Sequence, residues 1–123
     1  MQKVVGIGGV FFRAKDPEAL TRWYEDVLGL DINDRNWVQE PGQTVFAPFR
    51  ADTDYFGRPE KQWMLCFRVN HIAAMLEQLR AAGMTAIQKP EWNRQVGEFA
   101  RIHDPEGNPI ELWQPSDYSL GLM

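Results

Sequence analysis

The feature that most constrains the fold is an internal repeat. Phe12-Arg-Ala-Lys-Asp-Pro-Glu-Ala-Leu20 corresponds to Phe67-Arg-Val-Asn-His-Ile-Ala-Ala-Met75. In both copies a strand pattern ends in Phe-Arg, passes through a polar turn, and leads into an amphipathic helix pattern that ends at a glycine. Short strand patterns follow, so each half is predicted as strand-helix-strand-strand-strand. Because one half cannot bury both sides of a four-stranded sheet, we expect the two halves to pack together.

Residues 4–49 are predicted to form the first of these βαβββ modules. Residues 4–14 are β-branched and aromatic, which is typical of a strand, although three glycines interrupt them. The following helix is expected to begin after the N-cap Asp16 and to end at Gly29. Three short strands are predicted at residues 30–32, around Trp37 and at residues 44–47.

Residues 50–62 are polar and are predicted to be a connecting loop. Two aromatic residues in it, Tyr55 and Phe56, indicate that the loop is held against the domain or acts as a lid. The second βαβββ module is predicted over residues 63–115. It begins with a strand at residues 63–69 and continues into a helix that Gly83 ends, and residues 116–123 are expected to form a loosely held tail.

The second module closes with a predicted hairpin around Asp104-Pro-Glu-Gly-Asn108. Proline and glycine in this segment favour a tight turn. Along the last strand, Glu111 and Trp113 share one face, while Ile110 and Leu112 share the other. The two aliphatic residues suit packing against a helix. We therefore expect Glu111 and Trp113 to face the opposite, concave side of the sheet.

Charge and composition exclude several classes of function. The formal net charge is −4 and the basic residues are scattered, which argues against a nucleic-acid partner. No segment approaches the roughly 20 apolar residues that cross a membrane. The single cysteine, Cys66, excludes an intrachain disulfide and favours a cytoplasmic location. Its apolar surroundings in the sequence predict a buried residue rather than a nucleophile.

The motifs in this chain resemble those of the glyoxalase/bleomycin-resistance group of the vicinal oxygen chelate superfamily. The resemblance rests on the βαβββ repeat, the helix start at residues 15–20, Trp23-Tyr24 followed by Leu28-Gly-Leu30, and the closing residues 104–112. It covers about residues 4–115. It implies an α+β fold in which two βαβββ modules form one curved mixed sheet, or cup, with the helices outside. It also implies a homodimer.

Enzymes of this superfamily typically bind a divalent metal in the cup, through His, Glu or Gln on the first and last strands of each module. Glu111 matches one of these positions. The equivalent first-strand positions hold Gly9 and Met64, which do not bind hard cations. Residues 44–47 contain no His or acid either. We therefore predict no metal or other cofactor, with Glu111 as a candidate general base, a partner for a cationic ligand, or a structural partner of Arg68.

Two arginines, Arg13 and Arg68, occupy equivalent inward positions in the two first strands. A buried guanidinium needs a counter-charge. Each arginine is therefore expected to pair with Glu111, to reach solvent at the rim of the cup, or to bind an anionic group of a ligand. Gly9 would leave room for that ligand. The side chains expected to form apolar walls around it are Phe11, Phe46, Met64 and Trp113.

Three hypotheses for function follow. The leading one is a metal-free binding or resistance-type protein that takes a small, partly aromatic or anionic molecule. The second is a glyoxalase-like lyase, isomerase or dioxygenase with an atypical metal site, so the sequence leaves open whether the chain is an enzyme. The third is an interaction module whose cup is filled by its own side chains. The sequence also leaves open whether one chain or two form each cup.

Overall fold

The computed structural model describes residues 1–121 and shows an α+β chain with two α-helices. The helices are α1, Pro17–Leu28, and α2, Ile72–Ala81. A short 3₁₀ turn spans Pro90–Trp92. The strands are β1, Ile32–Asn33; β2, Asn36–Trp37; β3, Leu65–Arg68; β4, Gly97–His103; and β5, Pro109–Pro115.

The main sheet has three strands in the order β3-β5-β4. β5 lies in the centre, parallel to β3 and antiparallel to β4. Glu111 lies opposite Cys66 on one side and Arg101 on the other. A separate two-stranded sheet joins β1 and β2. The predicted hairpin of the second module is therefore confirmed.

One face of the three-stranded sheet packs against both helices. Ile110, Leu112 and Ile102 are at most 1% exposed and contact Leu20 of α1 and Leu79 of α2 in one core. Burial of such aliphatic side chains, each contributing roughly 1.5–3 kcal/mol, is the main stabilising term for this layer. Ile110 and Leu112 thus face the helices. Glu111 and Trp113 lie on the other face, as the alternation predicted.

The helix ends confirm the sequence signals. The Asp16 side chain accepts a hydrogen bond from the Ala19 backbone N–H at 3.1 Å, and Gly29 has a left-handed φ of 75°. In α2, His71 Nδ1 accepts from the Ala74 backbone N–H at 3.1 Å. His71 is therefore an N-cap residue. Gly83, with φ 82°, follows the end of α2.

The first half of the chain differs from the prediction. Residues 4–14 and 44–47, both predicted as strands, form no strand in the described part of the chain. Their apolar side chains are exposed, with Phe11 at 96% and Phe46 at 83%. β-Branched and aromatic residues favour extended backbone, but a strand is stable only when it is paired. These segments have no paired neighbour within residues 1–121, so the predicted four-stranded first module is not formed.

The turn of the hairpin is fastened to α1. Asp104, which is 4% exposed, accepts a hydrogen bond from the Tyr24 hydroxyl at 2.7 Å, and its other carboxylate oxygen accepts from the Glu106 N–H at 2.9 Å. The Glu106 carboxylate in turn accepts from the Lys15 and Asp16 N–H groups at 2.6 and 3.0 Å. The conformation of the turn therefore positions the start of the helix.

The segment after β5 is held at its start rather than loose. The Ser116 N–H donates to the Val96 carbonyl at 3.0 Å, and the Leu120 N–H donates to the Ser116 carbonyl at 3.0 Å. Residues 122 and 123 of the predicted tail lie outside the described residues. Neither of the two helices of the described chain is long and apolar enough to cross a bilayer.

Candidate functional site

The candidate site lies on the face of the three-stranded sheet opposite the helices, which we call the site face. Register places Cys66, Glu111 and Arg101 in one row across it, and Arg68, Trp113 and Phe99 in the next. Side chains in one row are close enough to interact directly. A carboxylate thus stands between a thiol and a guanidinium, beside a row that contains two aromatic rings.

Glu111 is half-buried and is covered by Tyr55 from the loop at residues 50–62. The Tyr55 hydroxyl donates a hydrogen bond to Glu111 Oε2. Among the described residues, no ion pair within 4 Å involves Glu111. Arg68 and Glu111 therefore do not form the ion pair that the sequence suggested. The Tyr55 phenol is hydrogen-bonded to Glu111 instead.

Arg101 is the most enclosed charge of the site. It is 8% exposed, and its Nη2 donates to the Tyr55 backbone carbonyl at 2.7 Å. Its guanidinium carbon lies 4.8 Å from the centre of the Tyr55 ring and 5.6 Å from that of Trp92, which are cation–π distances. Arg101 Nε is buried and has no hydrogen-bond partner within residues 1–121. A buried donor without a partner costs about 1–3 kcal/mol, so an acceptor brought to Nε would be favoured.

Aromatic residues enclose the Tyr55 ring. Phe49 stacks on it at 5.5 Å with an interplanar angle of 22°. Trp92 meets it edge-on at 6.4 Å and 74°. The Tyr55 ring is therefore surrounded by flat, apolar side chains, and the Arg101 guanidinium lies over it.

The environment keeps Tyr55 protonated. Burial raises the pKa of the Tyr55 phenol to about 12, with its hydrogen bond to Glu111 and the charge of that carboxylate adding to the effect, while Arg101 opposes it. Tyr55 therefore keeps the proton that it donates throughout the physiological pH range.

Cys66 differs from the sequence prediction in its placement. It is exposed rather than buried, because it lies on the site face of β3 and not on the helix face. Its sulfur is nevertheless largely surrounded by neighbouring atoms, and this desolvation, followed by the charge of Glu111, raises the pKa of the Cys66 thiol. The thiolate is the nucleophilic form of cysteine. A thiol that stays protonated at neutral pH is consistent with the prediction that Cys66 is not a nucleophile.

The second row of the site face holds two predicted site residues, Trp113 and Arg68. The Trp113 ring stacks on Phe99 at 6.2 Å and 3°, and its Nε1 donates to the Val96 carbonyl at 2.9 Å. Arg68 donates to the Glu40 and Pro41 carbonyls at 2.9 and 3.2 Å. In this structure Arg68 therefore holds the chain at residues 40–41.

Of the remaining predicted residues, Met64 is half-buried and lies just before β3. Arg13 and Phe11 line an open groove of about 360 Å³ together with Lys61. A Cβ atom on Gly9 would lie 3.2 Å from the Phe11 ring. Phe46 is largely exposed. The structure does not bring Gly9, Phe11, Arg13 or Phe46 to Glu111.

Sequence reasoning missed Tyr55 and Arg101 as site residues. Arg101 could have been found, because a hairpin centred on residues 104–108 places it opposite Glu111. For Tyr55 the signal in the sequence was weaker. An aromatic residue in a polar loop indicates that the side chain packs against the domain, but it does not identify the residues that it contacts. The loop returns over the site face through long-range contacts that no local pattern encodes.

The residues around Glu111 do not fit the divalent metal that is typical of the superfamily. Within residues 1–121, no group of three or more His, Cys, Asp and Glu side chains could hold a metal ion. The immediate neighbours of Glu111 are a phenol, a thiol and a guanidinium. The guanidinium charge would repel a cation at this position.

Comparison with known proteins identifies the family. The model of the glyoxalase-like domain matches residues 9–113. This chain belongs to the glyoxalase-like domain family. That finding, with the structural matches below, confirms the predicted membership of the vicinal oxygen chelate superfamily. No curated protein matches the sequence of this glyoxalase-like protein.

Solved structures share its fold. TnmS3, an antibiotic-binding protein from Streptomyces sp. CB03234, is 25% identical with a TM-score of 0.63, over 94% of this chain and all of that chain. A glyoxalase/bleomycin resistance protein from the same organism is 27% identical, with a TM-score of 0.51, over 81% of this chain and 92% of that chain. Virulence protein STM3117 from Salmonella typhimurium, at 22% identity and a TM-score of 0.54, covers 88% of this chain and 100% of its own and shares the fold.

Proposed function

We propose that this glyoxalase-like protein binds a small, partly aromatic molecule at the site face without using a divalent metal. The observation that carries the proposal is the position of Arg101 and Tyr55 at Glu111, where superfamily enzymes hold metal ligands. A carboxylate beside a guanidinium and aromatic walls suits an organic molecule better than a cation. The antibiotic-binding function named for TnmS3 is compatible with this role.

The energetics of the site favour a flat ligand. Burying an aromatic ring between side chains such as Phe49 and Trp92 contributes roughly 2–3 kcal/mol through removal of apolar surface from water. Aromatic contacts of good geometry add roughly 0.5–1.5 kcal/mol. The charged groups Glu111 and Arg101 then select the polar substituents of the ligand, because either group left unpaired in the complex would weaken binding.

The proposal is tested by thermal unfolding of the full chain with a panel of aromatic acids, phenols and amines, in the presence of EDTA. We expect at least one class to raise the melting temperature in a concentration-dependent way. Glu111→Gln should reduce that shift, while Glu98→Gln, an exposed position on β4, should leave it unchanged. No shift from any organic molecule, together with a large EDTA-sensitive shift from Ni²⁺, Zn²⁺, Mn²⁺ or Fe²⁺, would overturn the proposal.

The second candidate is a glyoxalase-like lyase, isomerase or dioxygenase with an atypical metal site. It is favoured by Glu111, which occupies a position that the superfamily uses for a metal ligand. Elemental analysis of protein from metal-supplemented growth separates the candidates, since stoichiometric bound metal supports the enzyme and its absence supports the binding protein.

A further inference from the structure

The Tyr55 side chain occupies the site face in the way a ligand would. It comes from the loop at residues 50–62, which has surface ion pairs between Arg50 and Asp52 and between Arg58 and Glu60, both highly exposed. Such pairs contribute little to holding a loop. The ring and hydroxyl of Tyr55 are therefore prominent among the contacts that hold this loop against Glu111. We call the space bounded by Glu111, Arg101, Phe49 and Trp92 the Tyr55 site.

The contacts of Tyr55 show what the Tyr55 site accepts. A flat ring fits against Phe49, Trp92 and the Arg101 guanidinium. A hydroxyl on that ring donates to Glu111. The hydroxyl is a neutral donor to a carboxylate, which is one of the stronger types of hydrogen bond.

One group in the Tyr55 site stays unsatisfied while Tyr55 is bound. Arg101 Nε is buried and has no partner among residues 1–121, since Tyr55 offers its carbonyl to Nη2 and nothing to Nε. An outside ligand with an acceptor oxygen could satisfy this donor. Such a ligand would make one polar contact more than the Tyr55 side chain makes, since that side chain contacts Glu111 alone through a hydrogen bond. This gives the ligand a physical reason to replace the side chain.

We infer that Tyr55 is an internal occupant of the site and that the ligand which displaces it is a hydroxyaryl compound carrying a second, acceptor oxygen. The aryl hydroxyl donates to Glu111, and the acceptor oxygen receives the N–H of Arg101 Nε. The ring replaces that of Tyr55 beside Phe49 and Trp92. This inference rests on the proposed function and specifies the chemical class of its ligand.

The test titrates four naphthalene probes into the full chain by calorimetry, and three of them each differ by one group from the first. 4-Hydroxy-2-naphthoate carries both groups. 4-Methoxy-2-naphthoate and 2-naphthoate lack the donor, and 1-naphthol lacks the acceptor. We expect each loss to weaken binding at least about tenfold, because each leaves a buried partner unpaired. Equal affinity of the hydroxy and methoxy probes would overturn the inference.

Three variants, one of them a control, test the displacement of Tyr55 itself. Tyr55→Phe keeps the ring but removes the competing hydroxyl, so 4-hydroxy-2-naphthoate should bind severalfold more tightly. Tyr118→Phe, at a tyrosine that is 52% exposed, is the matched control and should bind like the unaltered chain. Glu111→Gln should reduce the preference for the hydroxy over the methoxy probe. An unchanged affinity in Tyr55→Phe would show that Tyr55 does not compete and would overturn the inference.

The outcomes separate this inference from the proposed function. If other aromatic molecules stabilise the protein in EDTA but the hydroxynaphthoate has no advantage, the hydroxyaryl assignment is wrong and the binding function stands. If no organic molecule stabilises the protein and metals do, the binding function itself is wrong.

Discussion

A single buried carboxylate, Asp104, organises the turn between β4 and β5. Its oxygens accept hydrogen bonds from two backbone N–H groups, from the Asn108 amide and from the Tyr24 hydroxyl. Buried charge is costly unless it is satisfied in this way. The Asp-Pro-Glu-Gly-Asn sequence is thus a structural motif here. Its aspartate binds Tyr24 of α1 and does not belong to the candidate site.

Replacing Tyr24 by phenylalanine should lower the free energy of unfolding by about 1–2 kcal/mol, since the hydrogen bond to Asp104 is lost while the packing of the ring is kept. Urea unfolding at pH 7 measures this, with the exposed Tyr118→Phe as the control that should change it little. Equal stability of the two variants would contradict the role given to the Tyr24 hydroxyl.

Tyr24 should also make the stability of the protein depend on pH. Burial, then the hydrogen bond and charge of Asp104, raises the pKa of Tyr24 above its ordinary value of 10.0. A raised pKa means that the unfolded chain loses the proton first, so this contribution to stability is complete below pH 10 and declines above it. Urea midpoints between pH 8 and 11 should fall less steeply for Tyr24→Phe than for the unaltered chain. Parallel curves would exclude this cause.

Gly97 at the start of β4 admits no side chain. Its φ is 144°, and a Cβ atom there would lie 2.1 Å from the Gln114 carbonyl oxygen and 2.7 Å from Trp113 Nε1. Gly97→Ala should therefore destabilise the protein by about 2 kcal/mol or more and disturb the tryptophan, because backbone of β5 would have to move. Unfolding curves and near-ultraviolet circular dichroism report both effects. Gly121→Ala, where a Cβ meets open space, controls for positive φ alone.

At the level of helices and strands, the sequence predicts well those elements that are determined by residues close together in the chain. Both helices, the caps of α1 at Asp16 and Gly29, and the hairpin were predicted because each signal lies within a few residues of its effect. The strands at residues 4–14 and 44–47 depend on a distant partner strand, which no local pattern supplies. The faces of β5 were predicted correctly for the same reason as the helices: alternation is a local rule.

The connection between the hairpin and α1 gives an element-level prediction. Glu106 accepts from the N–H groups of Lys15 and Asp16, at the helix end where negative charge is favourable. Glu106→Ala should lower the free energy of unfolding by about 1–2 kcal/mol. Chemical denaturation followed by circular dichroism measures this. Glu98→Ala, an exposed acid on β4, should change stability by no more than about 0.5 kcal/mol, and a similar loss in both variants would contradict the prediction.

At the level of the whole molecule, the exposed apolar residues of the first half predict self-association. Val4, Val5 and Phe11 are each at least 90% exposed, far more apolar surface than an isolated chain tolerates well. We expect a homodimer that covers these residues, in which the extended segments 4–14 and 44–47 gain the pairing that one chain does not give them. The predicted homodimer and cytoplasmic location remain predictions.

Light scattering after size exclusion, over micromolar concentrations, tests the dimer. We expect twice the 14.2 kDa mass of one chain. Phe11→Asp should shift the mass toward the monomer, because a charge would be buried in the interface. Tyr118→Asp, an exposed aromatic in the segment after β5, should remain dimeric. A monomer at every concentration would contradict the prediction.

The order of the strands in the main sheet affects the order in which the chain folds. β5 is the central strand, and its two neighbours differ in distance along the chain: β4 joins it through a short turn, whereas Leu65 of β3 must find Ile110. Closing the shorter loop costs less entropy, so the hairpin is expected to form early and β3 to dock late. Changes in the Asp104 turn should then slow refolding, while changes in β3 should mainly speed unfolding. Since the site face needs both neighbours of β5, we expect the candidate site to be assembled in the last step of folding.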